Sequence, residues 1–138
     1  MSGGRFVVQE HTTPEGIHWD LMLEQDGSLI TFRLEDPPAY WLTRSGEACP
    51  PRTAIRIFDH PMRFLTYEGP VQKGTGKVRI ADRGQYELRQ QNDRLLNFHL
   101  HGALLRGSFT LTRTEGDQWR LAAQDTPECG PSRNSNRP

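Results

Sequence analysis

The sequence predicts an all-β protein, a small closed antiparallel β-barrel with little helix. Apolar and polar residues alternate with a period of two in short segments, and turn signals separate these segments. No stretch carries apolar residues at the 3.6-residue spacing of a helix. The chain has 138 residues, of which 34% are hydrophobic, and this composition leaves room for one core. Short strands at this spacing are typical of a barrel that closes or nearly closes.

Nine segments show the alternation of half-buried strands. They are Arg5–Glu10, His18–Glu24, Ser28–Leu34, Ala54–Phe58, Lys77–Ile80, Tyr86–Gln90, Leu95–Leu100, Ser108–Thr112 and Trp119–Ala122. Asp26-Gly27 is a good hairpin signal because both residue types accept positive φ in a two-residue turn. Arg83-Gly84 and Glu115-Gly116-Asp117 are weaker turn signals of the same kind. One or two helical turns are expected around Pro38–Leu42.

The composition predicts one domain over residues 1–126 and a disordered C-terminal tail over 127–138, where Pro, Ser, Asn, Gly and Arg dominate. The segment from Asp36 to Pro51 carries four prolines and is expected to be a long surface connection. No apolar run approaches the ~18 residues of a membrane helix. The first five residues also lack the apolar part of a secretory signal. A cytoplasmic protein without a membrane partner is therefore expected.

Charge is distributed unevenly along a chain whose net charge is zero. Residues 1–40 hold two basic and seven acidic side chains, whereas residues 41–113 hold twelve basic and six acidic ones. Fifteen of the seventeen basic residues are Arg, whose guanidinium can bind phosphate through two hydrogen bonds. A genome rich in G and C explains the arginine excess equally well. The composition thus leaves nucleic-acid binding open as a function.

The residues that carry chemistry begin with His11, His18 and Asp20. On a strand, His18 and Asp20 point to the same face, about 6–7 Å apart at Cα, so imidazole and carboxylate can converge on one cation. His11, from the preceding strand or turn, can complete a set of two nitrogens and one oxygen. Such a set suits Mn, Fe or Zn and leaves positions open for water and substrate. The alternative is a surface pair of His18 and Asp20 beside an unrelated His11.

A second group is predicted around His60, which stands where a strand ends against Pro61 and is therefore expected at a barrel mouth. Arg52 begins the same strand. At a metal site, an arginine can bind a phosphate through charge-assisted hydrogen bonds, and a histidine can act as donor or general acid. In isolation, Arg52 would be a solvated strand end and His60 a turn cap. Trp41, with Tyr40 beside it, is expected to contact a nucleobase.

Five motifs follow one another along the chain. They are Phe6-Val7-Val8-Gln9-Glu10-His11, His18-Trp19-Asp20-Leu21 with Leu23-Glu24-Gln25-Asp26-Gly27 after it, Asp59-His60-Pro61, Tyr67-Glu68-Gly69 and Asp82-Arg83-Gly84. Together they resemble the 3′-phosphoesterase domain of bacterial DNA ligase D, from about Arg5 to Leu121.

The resemblance implies a small β-barrel that binds Mn²⁺, with Zn²⁺ or another divalent transition metal as the alternative. It implies trimming of 3′ ends of DNA or RNA–DNA primers, with removal of a 3′-terminal ribonucleoside and then of the 3′-phosphate. The partners would be such primer-template ends and a separately encoded DNA ligase. His11, His18 and Asp20 would bind the metal, and His60 and Arg52 would be the phosphate-binding and catalytic pair.

Three positions depart from the family's pattern. Met22 stands where the family has an arginine, Phe64 where it has a tyrosine, and Asp36 where it has a lysine. Losing one charged hydrogen bond to a transferring phosphoryl group costs about 10²- to 10³-fold in rate. Another arginine can replace the lost cation, and the candidates are Arg33, Arg56 and Arg63. Arg33 is also a candidate for substrate binding.

Two other functions remain open at this point. The chain can be a catalytically inactive protein of the same fold that binds nucleic-acid ends after losing part of the phosphate-binding groups. It can also be a small non-haem iron oxygenase built on two histidines and one carboxylate. The residues of that third hypothesis are His18, Asp20, His99 or His101, and Arg106. The favoured function is a metal-dependent 3′-phosphoesterase, a hydrolase.

Overall fold

The structure, a computed structural model, describes residues 2–42 and 51–124. This part of the chain forms nine strands, which are β1 (Ser2–Thr13), β2 (Gly16–Gln25), β3 (Ser28–Leu34), β4 (Arg52–His60), β5 (Gly69–Val71), β6 (Gly76–Asn92), β7 (Leu95–Gly102), β8 (Arg106–Glu115) and β9 (Gln118–Gln124). Short 3₁₀ turns lie at Pro38–Leu42, Met62–Leu65 and Gln72–Gly74. No helix in the described part is long and apolar enough to cross a membrane.

Eight of these strands close into an antiparallel barrel. Their order is β1-β2-β3-β4-β9-β8-β7-β6, and β6 pairs back onto β1. This closing seam is long, because the pairing runs from Ser2 opposite Leu88 to Thr12 opposite Lys77. The short β5 adds to the first part of β6, with Gly69 opposite Val78. The predicted all-β barrel with little helix is confirmed, and closure leaves the eight strands without a free edge.

Two apolar clusters lie on opposite faces of the barrel wall. The larger cluster fills the interior and includes Phe6 of β1 and Leu21 of β2. The next residue of each strand, Val7 and Met22, points the other way because side chains alternate along a strand. These belong to a second group, here called the outer cluster, which consists of Val7, Met22, Leu29 and Leu65 with Met62, Phe64 and Ile80 packed against it. The turn Met62–Leu65 covers the outer cluster.

The number of strands agrees with the prediction, but two elements differ. The segments Lys77–Ile80 and Tyr86–Gln90 are parts of one long strand, β6, and β5 was not predicted. The turn predicted at Arg83-Gly84 is therefore wrong. A Cβ on Gly84 would lie 2.0 Å from the carbonyl oxygen of His101. This glycine lies within β6 and allows β6 and β7 to approach closely.

The other predicted turns are confirmed. Asp26 has φ 52° and Gly27 has φ 83°, as a two-residue turn with two positive φ angles requires. Gly116, with φ 52°, joins β8 to β9. The helical turn predicted around Pro38–Leu42 is present as a 3₁₀ turn. The tail predicted over 127–138 lies outside the described residues, so the domain boundary stays a prediction.

Candidate metal centre

His11, His18 and Asp20, here called the ligand set, meet on the outer face of the barrel wall. His11 of β1 lies directly opposite His18 of β2, and alternation places Asp20 on the same face as His18. One potential ligand atom of each residue lies within 4.8 Å of the other two. The two imidazole centroids are 4.5 Å apart. Asp20 is buried, and the three residues lie together rather than as an exposed pair beside a distant histidine.

The two imidazoles have the properties of metal ligands. The Nε2 atoms of His11 and His18 are buried and have no hydrogen-bond partner among the described residues. Burial lowers the pKa of both histidines, against the opposing effect of the Asp20 carboxylate. Neutral imidazoles keep a lone pair for a cation, and a buried polar atom without a partner costs about 1–3 kcal/mol. The donor set therefore fits a divalent transition metal.

The carboxylate of Asp20 is held from two sides. Its Oδ1 accepts a hydrogen bond from Nε of Arg33 at 3.1 Å, and its Oδ2 lies 3.7 Å from Nε2 of His18. An outer hydrogen bond of this kind fixes the orientation of a ligating carboxylate. On the other side, a Cβ at Gly76 would lie 3.1 Å from Nε2 of His11. Glycine at this position keeps space open around that nitrogen.

A cavity of about 490 Å³ opens beside the ligand set. Cationic and aromatic side chains share its walls with two of the metal-ligand candidates. The lining includes His11, Asp20, Arg33, Phe58, His60 and Arg63. Because the apolar core fills the barrel interior, this cavity lies on the outside of the wall and not within the barrel.

A β-bulge in β4 brings His60 to this outer face. Thr31 pairs with Ile57, and Leu29 pairs with His60, so two residues of β4 oppose one residue of β3 between these pairs. In a regular pairing Asp59 would face Leu29, and His60 would turn to the other face of the sheet. The bulge therefore places the ring of His60 against the outer wall, at the end of β4, where the sequence predicted a strand end.

Hydrogen bonds define which nitrogen of His60 carries a proton. Its Nδ1 lies 3.1 Å from Oγ1 of Thr31 and 3.0 Å from the carbonyl oxygen of Phe58. The carbonyl can only accept, and the Thr31 hydroxyl donates its own proton to the carbonyl of Leu29. Both contacts therefore require a proton on Nδ1. In the neutral ring Nε2 then has a lone pair, and in the charged ring it is a donor.

Arg52 and Trp41 lie in different surroundings from those predicted. Arg52 is not among the residues that line the cavity. Its Nη1 donates to Oδ2 of Asp36, and its Nη2 donates to the carbonyl of Tyr40, each at 2.8 Å. Trp41 is 3% exposed and packs in the interior cluster. The indole is buried and its Nε1 donates to the carbonyl of Asp36, which disfavours the predicted contact of Trp41 with a nucleobase.

Two departures from the family's pattern have apolar surroundings. Met22 is 1% exposed in the outer cluster, so its thioether fills a buried apolar position. Phe64 packs edge-on against His60, with ring centroids 5.5 Å apart. The third departure, Asp36, is balanced by its ion pair with Arg52. The acidic side chain thus has a local partner.

Among the three arginines proposed as replacements, two line the cavity. Arg33 does so while it bonds Asp20, and the guanidinium carbon of Arg63 lies 4.8 Å from the ring centroid of Phe64. Arg56 lies outside the cavity lining and pairs with Asp59 at 3.3 Å.

Gln9 and Phe58 are parts of the candidate site that were not predicted from the sequence. Gln9 is 1% exposed, and its Nε2 donates to the carbonyls of Phe64 and Tyr67 at 3.0 and 2.9 Å. It thereby holds the segment that covers the outer cluster. The signal was present, because Gln9 stands two residues before His11 and shares its face. Phe58 gave no comparable signal, since a bulge is not visible in an alternation pattern.

The oxygenase residues are not brought together. His99 and His101 lie on β7, which β6 and β1 separate from β2. His101 contacts Glu87 at 3.0 Å through its Nε2. In the described ranges, the group of side chains able to hold a metal ion is the ligand set, which includes neither of these histidines. The geometry therefore disfavours the third hypothesis.

Comparisons with known proteins were made for the whole chain. Residues 9–113 match the family model described as the DNA Ligase D 3′-phosphoesterase domain. The multifunctional non-homologous end joining DNA repair protein LigD of Mycobacterium tuberculosis is 32% identical over 124 residues, which is 85% of this chain and 15% of that protein. LigD of Mycolicibacterium smegmatis is 32% identical over 129 residues, 83% of this chain and 16% of the relative. LigD of Pseudomonas aeruginosa is 31% identical over 129 residues, which is 85% of this chain and 14% of the relative. The chain spans about 15% of the length of these relatives.

Proposed function

The chain belongs to the DNA ligase D 3′-phosphoesterase domain family, and from this membership and the ligand set we propose that it is a metal-dependent 3′-phosphoesterase. The proposed reactions remove a 3′-terminal ribonucleoside and a 3′-phosphate from DNA or RNA–DNA primer ends and leave a 3′-hydroxyl for a separately encoded ligase. The observation that carries the proposal is the meeting of two buried, unpartnered imidazole nitrogens with one carboxylate beside a cavity that holds cationic groups.

His11, His18 and Asp20 would hold the metal, with Mn²⁺ as the first candidate and Zn²⁺ or another divalent transition metal as the alternative. When bound, the metal supplies positive charge beside the phosphoryl group and increases the acidity of water. Arg33 keeps Asp20 oriented through its Nε–H, so the carboxylate presents Oδ2 to the set. The burial of Asp20 keeps competing water away from that carboxylate.

Arg33 and Arg63 are the proposed phosphate contacts. The terminal amino groups of Arg33 make no hydrogen bond within the described residues, and its side chain lines the cavity. A guanidinium can bind two phosphoryl oxygens at once. The sequence assigned this contact to Arg52. The bonds of Arg52 to Asp36 and Tyr40 support a different role, in which it orders the nearby 3₁₀ turn.

His60 is the proposed general acid. Thr31 and the carbonyl of Phe58 hold its Nδ1–H, so its Nε2 is left for the substrate. As water adds its oxygen to phosphorus, the bond from phosphorus to the leaving oxygen breaks, and the protonated ring transfers the Nε2 proton to that oxygen. The attacking water releases one proton to solvent, and the ring takes up one proton from solvent before the next turnover. Atoms balance as one water consumed, one hydroxyl formed and one phosphate released.

The test uses a 5′-labelled primer-template whose primer ends in a 3′-phosphate, and a second one that ends in a single ribonucleotide. We expect conversion to a 3′-hydroxyl with Mn²⁺, none with a chelator, and a loss of about 10²-fold or more in His11→Ala. His101→Ala changes a half-exposed histidine outside the ligand set and should keep full activity. Mn²⁺ should also raise the Tm of the wild type but not of His11→Ala. A Tm shift without any conversion would contradict catalysis.

One observation favours a second candidate, a catalytically inactive binder of nucleic-acid ends. Met22 occupies the position of the family's arginine and is buried among apolar residues, so no guanidinium reaches the cavity from there. The second candidate predicts binding that prefers 3′-phosphate over 3′-hydroxyl ends and weakens steeply with salt, without turnover. The assay above separates the two candidates, because only the first converts the end.

A further inference from the structure

Phe58 is the most exposed of the large hydrophobic side chains in the described ranges, with 74% of its surface open to solvent. Single exposed apolar residues are common and need no explanation. Phe58 differs because it lines the cavity beside the ligand set and because its ring stacks on a neighbouring side chain. It lies parallel to the imidazole of His60, with an interplanar angle of 7° and centroids 4.7 Å apart.

The β4 bulge explains this arrangement. The two residues of β4 that oppose a single residue of β3 are Phe58 and Asp59. A bulge changes the direction of side chains at that point, and here it brings the phenyl ring beside the imidazole on the outer wall. His60 covers one face of the phenyl ring, whereas the high exposure of Phe58 means that its other face is open.

We infer that Phe58 is the stacking platform for a nucleobase at the 3′ end of the substrate, an inference that rests on the proposed function. Phe58 lines the same cavity as Arg33 and His60, so a phosphate bound at those two residues brings the attached nucleoside beside the phenyl ring. Stacking on an aromatic ring tolerates every base, because each base has a π-face. The platform therefore selects a nucleotide end over a simple phosphate ester without selecting a sequence.

The experiment removes the platform and the base separately. It uses wild type, Phe58→Ala, Phe58→Trp and the control Leu104→Ala, which truncates another exposed apolar residue outside the cavity. One pair of labelled single-stranded oligonucleotides carries a 3′-phosphate on either a normal or an abasic terminal nucleotide, and kcat/KM is measured with Mn²⁺. A second pair carries a 3′-hydroxyl, and Kd is measured by fluorescence anisotropy, which requires no turnover.

Loss of the base should weaken binding and kcat/KM about 10-fold or more in the wild type. Phe58→Ala should bind and process the normal end as weakly as the wild type binds and processes the abasic end. In this variant, removal of the base should cause no further weakening. Leu104→Ala should behave as wild type, whereas Phe58→Trp, which retains an aromatic face, should retain the dependence on the base. Equal values for Phe58→Ala and wild type on the normal end would overturn the platform. So would an equal loss on both ends, since this would mean that the variant disturbs His60 instead.

The binding arm keeps this inference separate from the proposed catalysis. Base-dependent binding that disappears in Phe58→Ala supports the platform even if no variant releases phosphate, in which case the proposed function fails. Metal-dependent release of phosphate by the wild type, with no base dependence in any variant, keeps the proposed function and refutes the platform.

Discussion

At the residue scale, Arg33 connects the ligand set to the cavity. Its Nε bonds Asp20 at 3.1 Å, and about a third of its side chain remains exposed and lines the cavity. We expect Arg33→Ala to lower kcat/KM on a 3′-phosphate end by about 10²- to 10³-fold, because a charged contact to the phosphoryl group is lost. Arg33→Lys should recover part of this, since it restores the charge but not the planar pair of donors. Steady-state kinetics measure both effects.

The matched control for Arg33 is Arg56→Ala, which removes a guanidinium from a neighbouring strand but outside the cavity lining. This variant should retain wild-type kcat/KM. The Tm shift caused by Mn²⁺, measured for each variant, shows whether the metal still binds when Asp20 loses its partner. Wild-type kinetics in Arg33→Ala would contradict the phosphate contact.

The candidate ligands could be predicted from the sequence, whereas the surroundings of Arg52 and Trp41 could not. His18 and Asp20 stand two apart on one strand, so the alternation of side chains brings them together. Arg52 and Trp41 both bond to Asp36, across 16 and 5 residues of chain. Such contacts depend on how a connection folds back, and no periodicity encodes them.

At the scale of elements, Asp82 anchors the segment between β7 and β8. Its carboxylate, 4% exposed, accepts hydrogen bonds from the backbone N–H groups of Ala103, Leu104 and Leu105 at 2.7 to 3.1 Å. Asp82 lies opposite Val8, whose side chain is in the interior cluster. The carboxylate therefore fastens this segment over an end of the barrel.

We expect Asp82→Ala to lower the free energy of unfolding by about 2–4 kcal/mol, because one buried and two partly buried backbone donors lose a charged acceptor. Urea unfolding measures the loss. Asp93→Ala removes an exposed carboxylate and should stay within about 0.5 kcal/mol of the wild type. A loss in Asp82→Ala no larger than that of the control would show that the segment holds without its anchor.

Strand β6 also contains a feature that the sequence pattern could not predict. Asp82, Arg83 and Gly84 have the composition of a turn, yet they lie inside β6. Asp82 acts as an anchor for the segment between β7 and β8, and Gly84 is a point of close approach to β7, so both roles depend on residues far along the chain. The β4 bulge is equally hidden, because one extra residue leaves the apolar pattern of the strand readable but changes the face of His60.

At the scale of the whole molecule, the inner face of the barrel wall forms the core and the outer face carries the candidate site. The interior cluster holds the barrel together, while the ligand set and the cavity lie on the outer face. The fold class was predictable because period-two alternation encodes a half-buried wall. The face of the wall that carries the candidate site could not be predicted, because both faces carry apolar residues. Phe6 points inward, for example, and Val7 points outward.

Closure of the barrel gives a last prediction, through Tyr86 of β6. Its hydroxyl donates to the carbonyl of Glu24 on β2 at 2.7 Å, across the intervening β1. Burial, and then the nearby carboxylates, raise the pKa of Tyr86 to about 12. A raised folded-state pKa means that this stabilisation is complete below the unfolded pKa near 10 and is lost as the pH rises toward the folded value.

The wild type should therefore lose on the order of 2 kcal/mol of its free energy of unfolding between pH 10 and 12 through the ionisation of Tyr86. Tyr86→Phe should be about 1 kcal/mol less stable at pH 7, where it lacks the hydrogen bond, but should decline less above pH 10. Urea unfolding of both proteins from pH 8 to 11.5 measures the two slopes. Equal slopes would contradict the raised pKa of Tyr86, and equal stability of the two proteins at pH 7 would contradict the stabilising hydrogen bond to Glu24.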